Sequence, residues 1–346
     1  MKIIRLLPVI HLLAIMASCS KKDNNVTSTS TGTKDVYVAG YERSAAGNTI
    51  AKVWKNGTAT TLTDGTNNAQ ATSVYLSGPD VYVAGYDGNA TNVYVAKIWK
   101  NGTATALTDG TKNAKVFSVF VSGADVYAAG YEFNSTTGNY VAKIWKNGAA
   151  TALTDGTRGA AAMSVFVSGT DVYVAGRELN PTTGYYTGRI WKNGVATALT
   201  DGSGDVFLNS VYVSGSDVYV AGEVNIADLW KNGVVTHLTD GSNASDANSV
   251  YVAGTDVYVA GDEYRSTNAG SVLVAKIWKN GVVTALTDGT RNASTAAVFV
   301  SGTDVYAVGY EANTGKFSVA KIWKNGVATA LTDGTKDATA NSVFVK

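Results

Sequence analysis

From residue 35 onward, apolar and polar positions alternate in short runs, and Gly, Asn or Asp interrupts each run. The stretch from Ser164 to Thr200 is representative. Ser164-Val165-Phe166-Val167 is rich in β-branched and aromatic residues, Ser168-Gly169-Thr170 reads as a turn, and Asp171-Val172-Tyr173-Val174-Ala175-Gly176 is a second strand-like run. After a variable segment, Gly188-Arg189-Ile190-Trp191-Lys192 and Val195-Ala196-Thr197-Ala198-Leu199-Thr200 flank Asn193-Gly194, a pair suited to the positive backbone angles of a two-residue hairpin. The pattern predicts an antiparallel meander of four strands, A to D. No segment carries apolar residues at the helical period over a helical length, so helices are not expected.

The unit repeats. Trp54, Trp99, Trp145, Trp191, Trp230, Trp278 and Trp323 each open the same Trp-Lys-Asn-Gly tetrapeptide, at a period near forty-five residues. The first unit starts at Asp35 with strand B, whereas Ser342-Val343-Phe344-Val345 at the other end reads as a strand A. One blade is then completed from both ends, which pairs edges that would otherwise stay open. An all-β repeat of this length with one Trp beside a hairpin resembles a β-propeller blade. The resemblance implies a seven-bladed β-propeller of four-stranded antiparallel blades over residues 35–346, closed by a C-terminal strand A that completes the N-terminal blade. The Trp residues are expected to pack between blades.

Length variation falls almost entirely between strands B and C. In such a meander the B–C and D–A connections emerge on one face and the A–B and C–D turns on the other. Binding is expected on the variable face, since loops that differ on a rigid scaffold carry function more often than uniform ones.

Residues 1–18 read as a targeting segment. Lys2 and Arg5 form a basic start, Leu6 to Met16 is apolar but short for a bilayer span, and Met16-Ala17-Ser18 precedes Cys19, the single cysteine. The segment resembles a bacterial lipoprotein signal peptide, which implies lipidation of Cys19. Ser20-Lys21-Lys22-Asp23 is similar to the charged stretch that follows the cysteine in lipoproteins of Bacteroidota, implying an outer-membrane or cell-surface location. Asn24 to Lys34 are polar, small and without apolar period, so residues 19–34 read as the lipidated cysteine and a flexible tether. Membrane contact is expected only through the lipid.

Charge changes the picture little: 28 Lys and Arg against 27 Asp and Glu give a formal net charge of +1, with no field for nucleic acid. No cofactor or metal is expected. The Leu-Thr-Asp-Gly segments supply one carboxylate per blade without calcium-loop spacing and read as turns. His237 is the one histidine beyond the targeting segment, so neither a zinc site nor a Ser-His-Asp group is supported.

An acid closes strand B in each blade: Glu42, Asp87, Glu132, Glu178, Glu223, Glu263 and Glu311. Strand C supplies Lys52, Lys97, Lys143, Arg189, Lys276 and Lys321, which predicts a ladder of cross-strand ion pairs. Blade five departs, with Asp228 in place of the base and a very short B–C loop. Glu223 and Asp228 are therefore the candidate acid and base of an alternative reading, a polysaccharide-acting hydrolase or lyase. A second asymmetry is aromatic. Tyr94, Tyr140 and Tyr186 occupy one position in blades two to four, and Phe117, Met163 and Leu208 approach the channel mouth. Tyr185, Arg177 and Phe133 share that sector. An apolar floor below phenolic hydroxyls suits a ligand that needs stacking area and a few hydrogen bonds. The leading expectation is a monomeric, non-catalytic binding module for a glycan, peptide or surface protein, with a ligand-free surface spacer as a further alternative.

Overall fold

The computed structural model describes residues 34–346 apart from Asn268 and Ala269. The targeting segment, Cys19 and the tether up to residue 33 lie outside the described residues. Among the described residues twenty-eight strands form seven antiparallel sheets of four, each in the order A-B-C-D, so the protein is a seven-bladed β-propeller. Blade one joins the two ends of the domain: Ala338–Val345 is its strand A, beside Val36–Arg43, Thr49–Lys55 and Thr58–Thr61. Val38 faces Val343 and Glu42 faces Ala338 across that closure.

The repeated tetrapeptide carries three tasks. Asn101 and Gly102 take φ of 50° and 83°, the tight hairpin turn from strand C to D. Asn101 Oδ1 accepts from the Val81 amide at 2.9 Å and its Nδ2 donates to Asp80 at 2.8 Å, while Lys100 pairs with the same carboxylate at 2.7 Å. The C–D turn thereby holds the A–B turn. The Trp fills the space between blades: Trp145, 1% exposed, packs on Tyr82, Ala84 and Ala96 of the preceding blade. Truncating such a ring costs ~3–5 kcal/mol. The Leu-Thr-Asp-Gly aspartates are turn residues, as Asp64 shows by accepting from the amide and hydroxyl of Thr66 at 2.9 and 2.7 Å.

The strand A segments line the central channel. Tyr75, Phe120, Phe166, Tyr212, Tyr251, Phe299 and Phe344 touch in succession, with centroid separations from 4.7 to 5.0 Å, and the last meets the first. A series of contacts with one ring per blade closes on itself only around the axis. These aromatics constrict the channel and form the floor of what lies on the B–C side.

Candidate binding face

Each strand A carries a β-bulge near its start. In blade two (Ala69–Ser77 is strand A) the register shifts between Ala71 and Ser73, so Thr72 is the extra residue. The bulge forces close approach: a Cβ on Gly85 would lie 2.0 Å from the Gln70 carbonyl oxygen, which only glycine avoids. Its consequence is to aim one side chain per blade into the channel mouth, around a cavity of about 360 Å³.

Four of these mouth residues are polar and tie blades together. Asn341 donates to Ala71 O at 2.9 Å, Thr72 to Val116 O at 2.8 Å, Asn209 to Ala247 O at 3.2 Å and Asn248 to Thr295 O at 3.0 Å. In blades three and four the positions are Phe117 and Met163, which line the cavity and can form no such bond. Both were expected at the mouth. Leu208 was expected beside them and is not there: it is 0% exposed and packs in the core between blades four and five. The bulge extends the strand by one residue, which puts Asn209 at the mouth and turns Leu208 inward.

Outward from the mouth lies a second tier. The residue after the strand B glycine faces a strand A residue directly across the ladder: Tyr86 faces Gln70, Tyr131 faces Lys115, Arg177 faces Ala161, Glu223 faces Phe207 and Asp262 faces Asp246. In blades two to four the expected tyrosine of strand C packs on the strand B residue. Tyr94 meets Tyr86 at 5.0 Å, Tyr140 meets Tyr131 at 4.5 Å, and the Arg177 guanidinium lies 4.6 Å from the Tyr186 ring. Strand A of the following blade then caps two of these pairs. The Lys115 ammonium lies 4.2 and 4.4 Å from the Tyr86 and Tyr94 rings, and Phe207 covers Arg177 at 4.0 Å.

Between blades three and four the capping residue is Ala161, and Gly159 stands two residues before it. The slot stays open as a groove of about 260 Å³ lined by Tyr131, Tyr140, Arg177 and Tyr186 with Gly159 to Ala161. Tyr140, Tyr186 and Arg177, three of the residues singled out in the sequence, thus converge on one groove. Tyr94 belongs to the neighbouring capped slot, and Tyr185 sits on the B–C loop of blade four, 46% exposed. Phe133, directly across the ladder from Tyr140, packs on it at 5.4 Å.

The two cations of this tier, Lys115 and Arg177, have no carboxylate partner within ion-pair distance among the described residues, and burial lowers the pKa of both. The strand C bases differ. Lys97 pairs with Asp87 at 2.7 Å and Arg189 with Glu178 at 3.2 Å, and Lys52, Lys143, Lys276 and Lys321 pair with Glu42, Glu132, Glu263 and Glu311. The predicted ladder is present in these six blades.

Blade five corrects the acid–base reading. Gly222 faces Asp228 and Glu223 faces Ala227, so the Glu223 and Asp228 side chains project from opposite faces of the sheet. Val224, two residues after the strand B glycine, holds the ladder position expected of Glu223. Asp228 is 1% exposed and bonded to His237 Nδ1 at 2.6 Å, while Glu223 accepts from Asn209 at 3.0 Å. The two carboxyls do not form a pair.

Glu223 belongs instead to an acidic arc that adjoins the aromatic sector. Burial pushes its carboxyl up to about 8, with Asp246 and Asp262 adding repulsion, and burial raises Asp262 to about 7. Asp246, directly across from Asp262, is raised by burial as well. The tier is uneven in charge: its cations, Lys115 and Arg177, stand in blades three and four, and its buried carboxyls in blades five and six. Lys115, Tyr131, Gly159 and Ala161 escaped the sequence reading. Aligning the repeats on the residue after each strand B glycine would have found this tier.

No protein-family profile matches the chain, and no curated protein matches it. Among solved structures, a Mycobacterium tuberculosis puromycin-hydrolyzing peptidase is similar over 86% of this chain and 51% of its own, with 10% identity and a TM-score of 0.58. Pyrococcus horikoshii acylaminoacyl peptidase is similar over 86% of this chain and 50% of its own, with 11% identity and a TM-score of 0.52. The chain spans about half the length of either peptidase, and at these identities the likeness is one of fold.

Proposed function

We propose that this protein is a non-catalytic binding module, anchored by lipid at Cys19 outside the cytoplasm, and that its ligand, a glycan, occupies the B–C/D–A face of the propeller. The open slot between blades three and four carries the reading. Neighbouring slots of the same tier are filled by Lys115 and Phe207, whereas here small residues leave Tyr140 and Tyr186 lining an accessible groove. Phe117 and Met163 support it, because each replaces an inter-blade hydrogen bond with apolar surface at the adjoining mouth. Local departures from a repeat's own rules are where function is expected.

A glycan fits better than an extended peptide. The groove's four large side chains stand on strands B and C, the inner two of each four-stranded sheet, and not on the edge strands A and D that main-chain pairing would need. The groove offers ring faces and phenolic hydroxyls instead. The test is a glycan array probed with the protein released from its anchor, alongside Ala161→Phe, which fills the slot as Phe207 does one blade on. Binding by the parent and loss in the variant is the expected result; equal binding would remove the groove from the reading. Anchoring is tested separately, by moving Cys19→Ala from the membrane to the soluble fraction.

A further inference from the structure

We infer that the groove between blades three and four selects a sugar bearing a carboxylate, a uronic acid residue, with Arg177 as the residue that receives the charge. The inference rests on the binding reading above and adds the chemical class of the ligand.

Arg177 is out of place by the rule of its own repeat. Blades one, two, three and seven carry Tyr41, Tyr86, Tyr131 and Tyr310 after the strand B glycine, packed in the inter-blade tier. In blade four a guanidinium takes that place, between the faces of Tyr186 and Phe207 at 4.6 and 4.0 Å. Stacking fixes its plane and leaves its hydrogen-bonding capacity unused: Nη1 is buried without a partner, and no carboxylate lies within ion-pair distance among the described residues. The nearest acids are committed elsewhere. Asp205 accepts from the Tyr186 amide at 3.1 Å, and Glu223 accepts from Asn209 at 3.0 Å. A half-buried cation that the fold does not neutralise favours an anion from outside, and a planar guanidinium matches a carboxylate with two parallel hydrogen bonds.

The rest of the groove suits the ring that bears the carboxylate. Tyr140, 40% exposed, gives a face for stacking. Gly159 offers no side-chain acceptor to the Tyr140 amide, whereas Asn113 and Asp205 accept from the matching amides of Tyr94 and Tyr186 at 2.9 and 3.1 Å. At about 260 Å³ the groove falls below the ~300 Å³ at which drug-sized pockets begin, a size for one sugar residue of a chain that continues along the face. Lys115, one blade away and equally without an ion-pair partner, is placed to meet a second carboxylate.

The experiment is calorimetric titration with a panel of uronate oligosaccharides, each paired with its methyl ester, so that charge changes and the sugar does not. A glutamate hexapeptide serves as the acidic-peptide arm. Arg177→Tyr and Lys115→Gln restore residues that other blades carry at those positions, so both variants are expected to fold, as their melting curves will check. The parent should bind at least one uronate about tenfold more tightly than its ester. Arg177→Tyr should abolish that preference while retaining residual binding of the ester, and Ala161→Phe should remove both. Acid and ester bound equally, with Ala161→Phe blocking both, would overturn the charge inference and leave the glycan reading standing. A preference that survives Arg177→Tyr, or a hexapeptide bound as tightly as the best uronate, would also overturn it. Failure to bind any member of the panel, together with a blank glycan array, would remove both.

Discussion

The Ser342 hydroxyl accepts a hydrogen bond from the Val74 amide at 3.1 Å, joining strand A of blade one to strand A of blade two. The link recurs around the channel: Ser73 accepts from Val119, Ser118 from Val165, Ser164 from Val211, Ser210 from Val250 and Ser249 from Val298. The seventh is missing. Ala297 occupies the position in blade seven, and it presents no hydroxyl to Val343 of blade one. Ala296 beside it also lacks the polar group that Asn341 or Thr72 uses to reach the next blade. The boundary between blades seven and one is thus the least bonded at the channel among the described residues.

Ala297→Ser should complete the ring. The gain is one hydrogen bond in a site already shaped for a serine, worth about 1 kcal/mol. Thermal unfolding checks it, and a melting temperature equal to or below that of the parent would count against the ring as a stabilising unit.

Removal of Ser342 to Lys346 should cost several kcal/mol, far beyond the usual effect of trimming a terminus. The deletion takes Val343 and Val345, both buried, and Phe344 from the aromatic ring, and it exposes the edge of Val36–Arg43. Denaturant unfolding should show a lower midpoint; a truncated chain that unfolds like the parent would mean that the closure contributes little.

The acidic arc predicts a loss of stability with rising pH. Glu223 and Asp262 hold their protons more tightly folded, at about 8 and about 7, than at their ordinary values of 4.5 and 3.8. Their contribution is therefore complete below about pH 4 and is lost as pH climbs through 7 and 8. Asp262→Asn, which cannot ionise, should lose less stability between pH 5 and 8.5 than the parent. Parallel decline in the two proteins would show that Asp262 is already ionised in the folded state.

The repeat was legible because a blade's needs are local: the hairpin Asn-Gly, the Trp and the alternating strands each follow from a few adjacent residues. Blade count and closure followed from repetition. The site was legible in part. Tyr140, Tyr186 and Arg177 stood out as departures from the repeat, but the groove they line arises from what is small, Gly159 and Ala161, and an absent side chain leaves little trace in one sequence. Leu208 and Glu223 were misplaced for a related reason. A one-residue bulge or a shortened loop reverses which face a strand residue occupies, and the spacing to the nearest motif does not reveal it.

Tyr140→Ala and Tyr186→Ala test the groove most directly. Both rings lie at the first or second residue of a strand, Asn139–Lys146 and Tyr186–Lys192, and both border solvent rather than the core. Blades one, six and seven carry Thr49, Leu273 and Ser318 at this position, so the scaffold tolerates small or aliphatic side chains there. Each substitution should weaken binding of the array-selected glycan by about 1–3 kcal/mol while leaving the melting temperature nearly unchanged. The two losses should not simply add, because both rings line one groove within contact range of a single sugar. Isothermal titration of the single and double variants measures this, and an affinity that survives both substitutions would place the ligand elsewhere on the propeller.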